Sequence, residues 1–460
     1  MSEMKRVYPA ADMPDFSMPE GVRQIIQTLY DHGYEAYAVG GCVRDILLGR
    51  TPNDWDITTS ARPQEVKKLF RRTIDTGIQH GTVTIMLGKE GYEVTTYRID
   101  GEYEDARHPK EVTFTSNLVE DLKRRDFTIN AMAYNEIRGL VDAFDGVGDL
   151  QKGIIRCVGV PEERFGEDAL RMLRAVRFAA QLGFAIEENT AEAIRKLAPT
   201  IAKVSAERIQ MELVKLLTSS HPDQLRTAWE LGLTGVFLPE WDRMMETGQR
   251  NPHHAYSVGE HTLKALTCSR PDRILRLALL FHDVAKPVCL TRDAEGVDHF
   301  HGHPQKGARM AADIFRRLKF DNETIDRCCA LISWHDDMPP LSPANVRRAI
   351  NRIGLEQYPL IFELRRADVM GQSDYLREEK LRYIDDYEQI YRKCLEDHDC
   401  LTKKDLAING RDLIALGMKP GKELGEVLEK LFQAVLKEPA LNCRECLLEM
   451  AEKSVNSLTS

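Results

Sequence analysis

The sequence predicts an α+β N-terminal head, a mixed sheet with helices, followed by an all-α remainder. Three observations predict it. Short β-rich runs separated by glycines fill residues 34–98, and from about residue 161 the apolar spacing is helical almost to the end. Strands and helices do not alternate as regular βαβ units, and no G-x-x-x-x-G-K-[ST] occurs, which argues against a P-loop enzyme. The 460 residues suggest roughly three domains of ~150 residues each.

Composition sets the outer limits. Hydrophobic content of 43% and charged content of 29% are those of an ordinary globular protein. No apolar run approaches the ~20 residues that span a bilayer. The opening MSEMKRVYPAADMPDF has no apolar signal-peptide region, so the expected location is cytoplasmic, with no membrane partner. Ten scattered cysteines then read as reduced thiols. Cys443 and Cys446 form a C-x-x-C without a second pair, which disfavours zinc. With a net charge of −9, bulk electrostatics do not announce a nucleic-acid binder, although local basic stripes still act within a screening length.

Residues 19–33 form the first expected helix, with Pro19 at a favoured start and Gly33 at a favoured stop. The stretch Val39–Thr59, VGGCVRDILLGRTPNDWDITT, reads as strand, glycine turn, short helix, then a strand carrying Asp54 and Asp56. Residues two apart on a strand share a face, so the two carboxylates sit side by side and favour divalent cations. Gly40 and Gly41 let the backbone approach a ligand, and the N–H groups of the next helix suit a phosphate. Together these point to metal-assisted phosphoryl or nucleotidyl transfer. The plain alternative is a surface turn with two solvated aspartates.

A helix at 63–70 and strands around 73–76, 82–88 and 92–98 complete the sheet. Residues 98–114, RIDGEYEDARHPKEVTF, show no period and are expected to be a mobile loop, a candidate lid. In 118–134 a helix carries Glu120, Asp121, Lys123, Arg124 and Arg125, with Asp126 at its end. Arg125 suits a triphosphate, and a solvated charged face is the alternative. Over 161–184 one helix is expected, with Arg171, Arg174 and Arg177 at spacing three and Asp168 on the same side. A carboxylate beside a guanidinium offers acceptor and donor to a base edge; an i,i+3 salt bridge is the alternative.

The motifs V-G-G-C-V-R-D, N-D-W-D-I-T, D-L-K-R-R-D-F-T-I-N-A and E-D-A-L-R-M-L-R-A-V-R-F, in that order, resemble the class II tRNA nucleotidyltransferases, the CCA-adding enzymes and bacterial poly(A) polymerases. The resemblance is dense over about residues 34–217. It implies that Gly41 and Arg44 touch the triphosphate, that Asp54 and Asp56 hold catalytic magnesium (Mg2+), and that Arg124, Arg125 and Asp126 handle ribose and phosphate. It implies that Asp168 and Arg171 pair with the incoming CTP or ATP, with Arg174 and Arg177 as further nucleotide contacts. The loop at 98–114 resembles the family's flexible loop for switching from C to A addition. Its full length disfavours a CC-only enzyme. The implied partners are tRNA, ATP and CTP.

The second half is expected to be helical. Residues 205–217 present Ile209, Met211, Leu213, Val214 and Leu217 for packing, as a neck. Further on, His261, the adjacent pair His282 and Asp283, then His303, His335 and Asp368 fall in the order of an HD phosphohydrolase domain. Ligands from separate helices can meet in a bundle around one or two divalent metals of unstated identity; a structural HD fold is the alternative. Residues 376–400 read as a solvated charged helix with an aromatic seam. The tail resembles the family's C-terminal segment, and its Gly417, Lys419, Gly421 and Lys422 make a turn suited to an RNA phosphate or simply to helix packing. The expected division is a nucleotidyltransferase head at 1–155, a neck at 156–225, an HD-type body at 226–395 and a tRNA-binding tail at 396–460. Three readings follow: CCA addition, A-only or poly(A) synthesis, and an HD phosphohydrolase acting on RNA ends. The paired acids Asp54 and Asp56 speak against a phosphohydrolase whose head only positions RNA, and a non-catalytic RNA binder is a further alternative.

Overall fold

The computed structural model describes residues 6–9, 16–101 and 112–459. It divides into two compact units, Met1–Pro239 and Glu240–Ser460.

The first unit is built on strands β1 (Arg6–Tyr8), β2 (Ala36–Val39), β3 (Asp56–Thr59), β4 (Thr73–Gly77), β5 (Thr82–Leu87), β6 (Glu90–Thr96), β7 (Arg98–Asp100), β8 (Val112–Phe114), β9 (Met132–Asn135) and β10 (Gly139–Asp142). Eight of them form one sheet in the order β1-β10-β9-β2-β3-β6-β5-β4. Every pairing in it is antiparallel except β3 with β6. β2 lies in the middle and is buried along its whole length. β5 and β6 are joined through Gly88, whose φ of +64° permits the tight hairpin turn. β7 and β8 pair as a separate two-stranded ribbon. The two ends of the expected 98–114 loop are therefore paired strands; its residues 102–111 lie outside the described residues.

Helix α1 (Glu20–Asp31) buries Val22, Ile25, Ile26 and Leu29, a single apolar stripe, and ends before Gly33 at φ +83°. The other helices of this unit are α2 (Gly41–Leu47), α3 (Pro63–Leu69), α4 (Leu118–Lys123), α5 (Gly146–Lys152), α6 (Pro161–Glu167), α7 (Leu170–Leu182), α8 (Glu188–Leu197), α9 (Ala206–Leu217), α10 (Leu225–Glu230) and α11 (Thr234–Phe237). Tyr37, Val39, Tyr97, Leu118, Leu122 and Val141 are buried together in one part of the head core.

Three local expectations are corrected. Residues 161–184 are two helices, broken at Asp168 (φ −146°, ψ 103°). The Asp168 carboxylate accepts the Leu170 N–H at 3.0 Å, a local bond that competes with the helical ladder. α4 stops at Lys123, so Arg124, Arg125 and Asp126 lie beyond it. Met211 on α9 is 53% exposed, because the buried stripe of the helix runs through Ile209, Glu212, Leu213, Leu216 and Leu217 and passes it by.

The second unit contains α12 (Pro239–Glu246), α13 (Val258–Thr267), α14 (Arg273–Phe281), α15 (Lys286–Cys289), α16 (His303–Arg317), α17 (Asn322–Trp334), α18 (Pro343–Ile353), α19 (Pro359–Gly371), α20 (Arg377–Glu396), α21 (Gly410–Ala415), α22 (Lys422–Lys437) and α23 (Arg444–Thr459). α14 is buried at every position from Ile274 to Phe281. The expected aromatic seam on α20 is present: Tyr387 and Tyr391 pack on Phe362, and Tyr391 also on Tyr358. In the tail, Leu413, Val427, Leu431, Phe432 and Leu447 belong to one apolar cluster. Cys443 and Cys446 are disulfide-bonded, which corrects the reading of all ten cysteines as thiols; a one-turn spacing at the start of α23 brings the two sulfurs together. No described helix is long and apolar enough to cross a membrane.

Candidate functional site

The head site begins at the turn between β2 and α2. Gly40 has φ +85°, and a Cβ there would lie 3.0 Å from Arg125 Nη1. The backbone conformation calls for glycine, and the absence of a Cβ lets the arginine approach closely. Arg44, on the short helix that follows, is buried and donates to Asn130 Oδ1 at 2.7 Å and to Asp45 Oδ1 at 2.8 and 2.9 Å.

Asp56 is the first residue of β3, and Asp54 precedes the ladder. Both are exposed, and both line one recess together with Trp55, Glu90, Tyr92 and Glu93. Glu93 stands opposite Asp56 in the parallel β3–β6 register. The sequence reading missed it; the signal was only that β6 neighbours β3, which a single chain does not reveal. Loss of hydration in the recess raises the Asp56 carboxyl above its usual range; Arg125 opposes the rise and Asp54 adds to it. Carboxylates crowded in this way, with one nearby cation, fit a hard divalent ion.

Behind the recess runs a network of arginines. Asp126 is buried and accepts from Arg174 at 2.5 and 2.9 Å and from Asn130 at 3.2 Å. Burial opposes its charge, but Arg174 outweighs it and holds the carboxyl well below the ordinary range. Arg174 also lies 3.9 Å from Glu212. Arg177 is buried, bonds Glu212 at 2.7 Å and Gln181 at 2.8 Å, and stacks 3.6 Å from the centroid of Phe178. Arg125 differs from these: its Nε is buried with no hydrogen-bond partner and its Nη1 is aimed at the glycine turn.

The Arg171 backbone N–H donates to the Asp168 carbonyl at 3.0 Å, and the two side chains have other partners. Arg208 of α9 grips Asp168 through two contacts, 2.6 and 3.2 Å. Arg171 donates to Glu167 at 2.6 Å and to the carbonyls of Arg164 and Arg124 at 3.2 and 3.0 Å. Arg208 was not singled out in the sequence; its place on α9 gives no hint of a partner forty residues away.

In the second unit the expected histidines and aspartates converge. His261 Nε2 lies 2.9 Å from Asp368 Oδ1, and 3.5 Å from Asp283 Oδ2. His282 Nε2 is 3.3 Å from Asp283 Oδ2, while His303 and His335 face Asp283 Oδ1 at 3.3 and 3.8 Å. His261, His282, Asp283, His303 and His335 are all buried. The Nδ1 atoms of His282, His303 and His335 each contact the carbonyl three residues before, at 2.6, 2.9 and 2.8 Å. Nδ1 must donate there, so in the neutral imidazole the Nε2 lone pair faces the centre. Two pairs of Nε2 atoms then meet at 3.2 and 3.3 Å, an arrangement that suits a cation between them. Burial disfavours a charged His282, yet Asp283 and Asp368 push it up to about 10; His335 is pushed down to about 3 by burial and by His282. Lys286, three residues after Asp283 and 2.8 Å from its Oδ2, was not anticipated. Asp283, Lys286, His299, His303 and Asp336 line an opening beside the cluster.

A glycine turn closing on an arginine, beside adjacent acids on a mixed sheet, defines the head as a nucleotidyltransferase. A profile described as the poly A polymerase head domain matches residues 36–156, the probable RNA and SrmB-binding site of polymerase A matches 183–245, and a putative tRNA nucleotidyltransferase domain 2 matches 305–451. The CCA-adding enzyme of Lactiplantibacillus plantarum is 37% identical over 457 residues, covering 95% of this chain and 97% of the relative. That of Lactobacillus helveticus is 40% identical, covering 93% and 95%. The crystal structure of the Bacillus stearothermophilus CCA-adding enzyme in complex with CTP superposes with a TM-score of 0.71 at 31% identity, covering 97% of this chain and 99% of that one. The chain belongs to the CCA-adding enzymes of the class II tRNA nucleotidyltransferases.

Proposed function

We propose that this enzyme adds CCA to tRNA 3′ ends from CTP and ATP. The observation that carries the reading is the recess of Asp54, Asp56 and Glu93, together with the Gly40–Arg125 approach. Relatives at 37–40% identity over nearly the whole chain bear the name of that activity, and one solved relative carries CTP. The RNA 3′-hydroxyl attacks the α-phosphorus of the nucleotide, the new P–O bond forms, and pyrophosphate leaves. Two Mg2+ ions, held by Asp54 and Asp56 with Glu93 beside them, would lower the pKa of the attacking hydroxyl and offset charge on the leaving pyrophosphate. Arg125 supplies its open donors to the triphosphate over the glycine turn, where Gly41 and the start of α2 present backbone N–H groups. Arg44, Arg174 and Arg177 hold this arrangement from behind, through Asn130, Asp126 and Glu212.

Asp168 and Arg171 choose the base. The Asp168 carboxylate accepts from the exocyclic amino group that cytosine and adenine share, and Arg171 donates once it exchanges a carbonyl partner for the base. The test is nucleotide incorporation on tRNAs ending before, within and one residue short of CCA. Incorporation of C, C and then A supports the reading. Incorporation of A alone on every substrate replaces it with A-only or poly(A) synthesis.

A second activity is favoured by the buried cluster in the second unit. His261, His282, Asp283, His303, His335 and Asp368 form a preassembled donor set for divalent metal, and Lys286 at its edge suits a phosphate. We propose an HD-type metal-dependent phosphohydrolase there, acting on phosphate esters at RNA ends. Metal analysis of the purified protein, followed by phosphatase and cyclic phosphodiesterase assays with and without Asp283→Asn, tests it.

A further inference from the structure

Asp121 stands at the junction of three segments of the head. It is fully buried, on the last turn of α4. Its Oδ2 accepts from the Thr58 hydroxyl at 3.0 Å, two residues along β3 from Asp56. Its Oδ1 accepts from the Arg98 backbone N–H at 3.3 Å, at the root of the β7–β8 ribbon. The same Oδ1 accepts from Arg124 Nε and Nη2 at 3.0 and 2.8 Å. Arg125 Nη2 lies 3.9 Å from Oδ2.

Arg125 cannot hold its own position. Its Nε has no partner, and Asp121, Asp56 and Asp126 are its nearby acids, with Arg124 pushing against it. Burial disfavours its charge, and Asp121 is the largest influence restoring it. A buried guanidinium without a counter-charge swings toward solvent or loses its order. The acid strand is fixed to the same carboxylate through Thr58. One buried group therefore sets the spacing between the arginine that meets the triphosphate and the strand that carries the catalytic acids.

We propose that Asp121 is a positioning residue for nucleotide binding, acting through Arg125. It touches no substrate. Its carboxylate keeps Arg125 aimed at the Gly40 turn, in register with β3. The proposal rests on the reading of Arg125 as the triphosphate contact.

The experiment is a double-mutant cycle on steady-state C addition, with Asp121→Asn, Arg125→Gln and the double variant. Asn keeps the volume and removes the charge. The expected result is a rise of about tenfold in the KM for CTP in each single variant, a smaller change in kcat, and a double variant no worse than Arg125→Gln. Additive effects of the two substitutions, or an Asp121→Asn variant that loses thermal stability while keeping its nucleotide KM, overturn the proposal. If Arg125→Gln leaves the KM for CTP unchanged, the reading of Arg125 itself fails, which is a separable outcome. Should Asp121→Asn not fold, Thr58→Val removes one anchor of the carboxylate while keeping the branched side chain. A KM increase of about threefold that vanishes in the Arg125→Gln background supports the proposal, and an unchanged KM overturns it.

Discussion

In the head, Asp54, Asp56 and Glu93 stand exposed along the lip of a recess. In the second unit, five of six donors are buried, and three imidazoles are locked by carbonyls before any metal arrives. Exposed carboxylates leave most of a cation's coordination to water and to the phosphates of a substrate. A preassembled set of imidazoles and carboxylates supplies most of the shell itself and leaves the side facing the opening for water or a phosphate. On the proposed reading, the head would take metal along with its nucleotide, and the cluster would hold metal on its own donors.

The largest expected effect separates the two centres outright. Asp56→Ala lowers nucleotide transfer by about a thousandfold or more in a primer-extension assay. It leaves tRNA binding and the metal content of the second unit unchanged. Residual transfer near the wild-type rate would remove Asp56 from the reaction.

Next is metal occupancy. Metal-free protein given a divalent ion at about a hundred times its dissociation constant gains about 2.7 kcal/mol in the unfolding of the second unit. The head transition does not move until nucleotide is added. Asp283→Asn abolishes the first shift and spares nucleotide transfer. Differential scanning calorimetry reads both, and equal shifts in the two units would erase the contrast.

Asp126→Asn probes what lies behind the head recess. Breaking its buried pair with Arg174 costs about 3 kcal/mol in urea unfolding at neutral pH. The folded carboxyl lies below its unfolded value of roughly 3.9, so its stabilisation is complete above that value and is lost as pH falls toward the folded one. The gap between wild type and variant is flat from about pH 8 to 5 and narrows below about pH 4. A gap that widens with acid would contradict the assignment.

Arg208→Ala has the smallest effect. It frees the Asp168 carboxylate from its grip and lowers discrimination of CTP over UTP by roughly tenfold, about 1.5 kcal/mol. Competition between the two nucleotides on one tRNA measures it, and unchanged discrimination would mean that Asp168 holds its place unaided.

Much of both centres was legible because their motifs are local. The glycine turn, the D-x-D spacing and the His282–Asp283 pair are each fixed within a few residues, and helical periodicity announced the second unit. What escaped was set by partners distant in sequence. Glu93 belongs to the recess only because β3 and β6 lie parallel. The helix break at Asp168 depends on a local cap and on Arg208 from another helix, which no 3.6-residue pattern encodes. Arg177 reads as one of a row of three arginines, yet Glu212 and Phe178 draw it inward. The bonded Cys443 and Cys446 show how a one-turn spacing can override a reading drawn from overall cysteine usage.

The sheet order has a consequence for synthesis on the ribosome. β2, which leads into the glycine turn, pairs on one side with β3 and on the other with β9 at Met132–Asn135. β3 in turn needs β6. β2 is therefore made early but stays half-paired until β9, almost a hundred residues further on, has left the exit tunnel. A nascent chain stopped at residue 120 therefore has its acid strand already set between β2 and β6, while the strand that leads into the glycine turn is still an open edge.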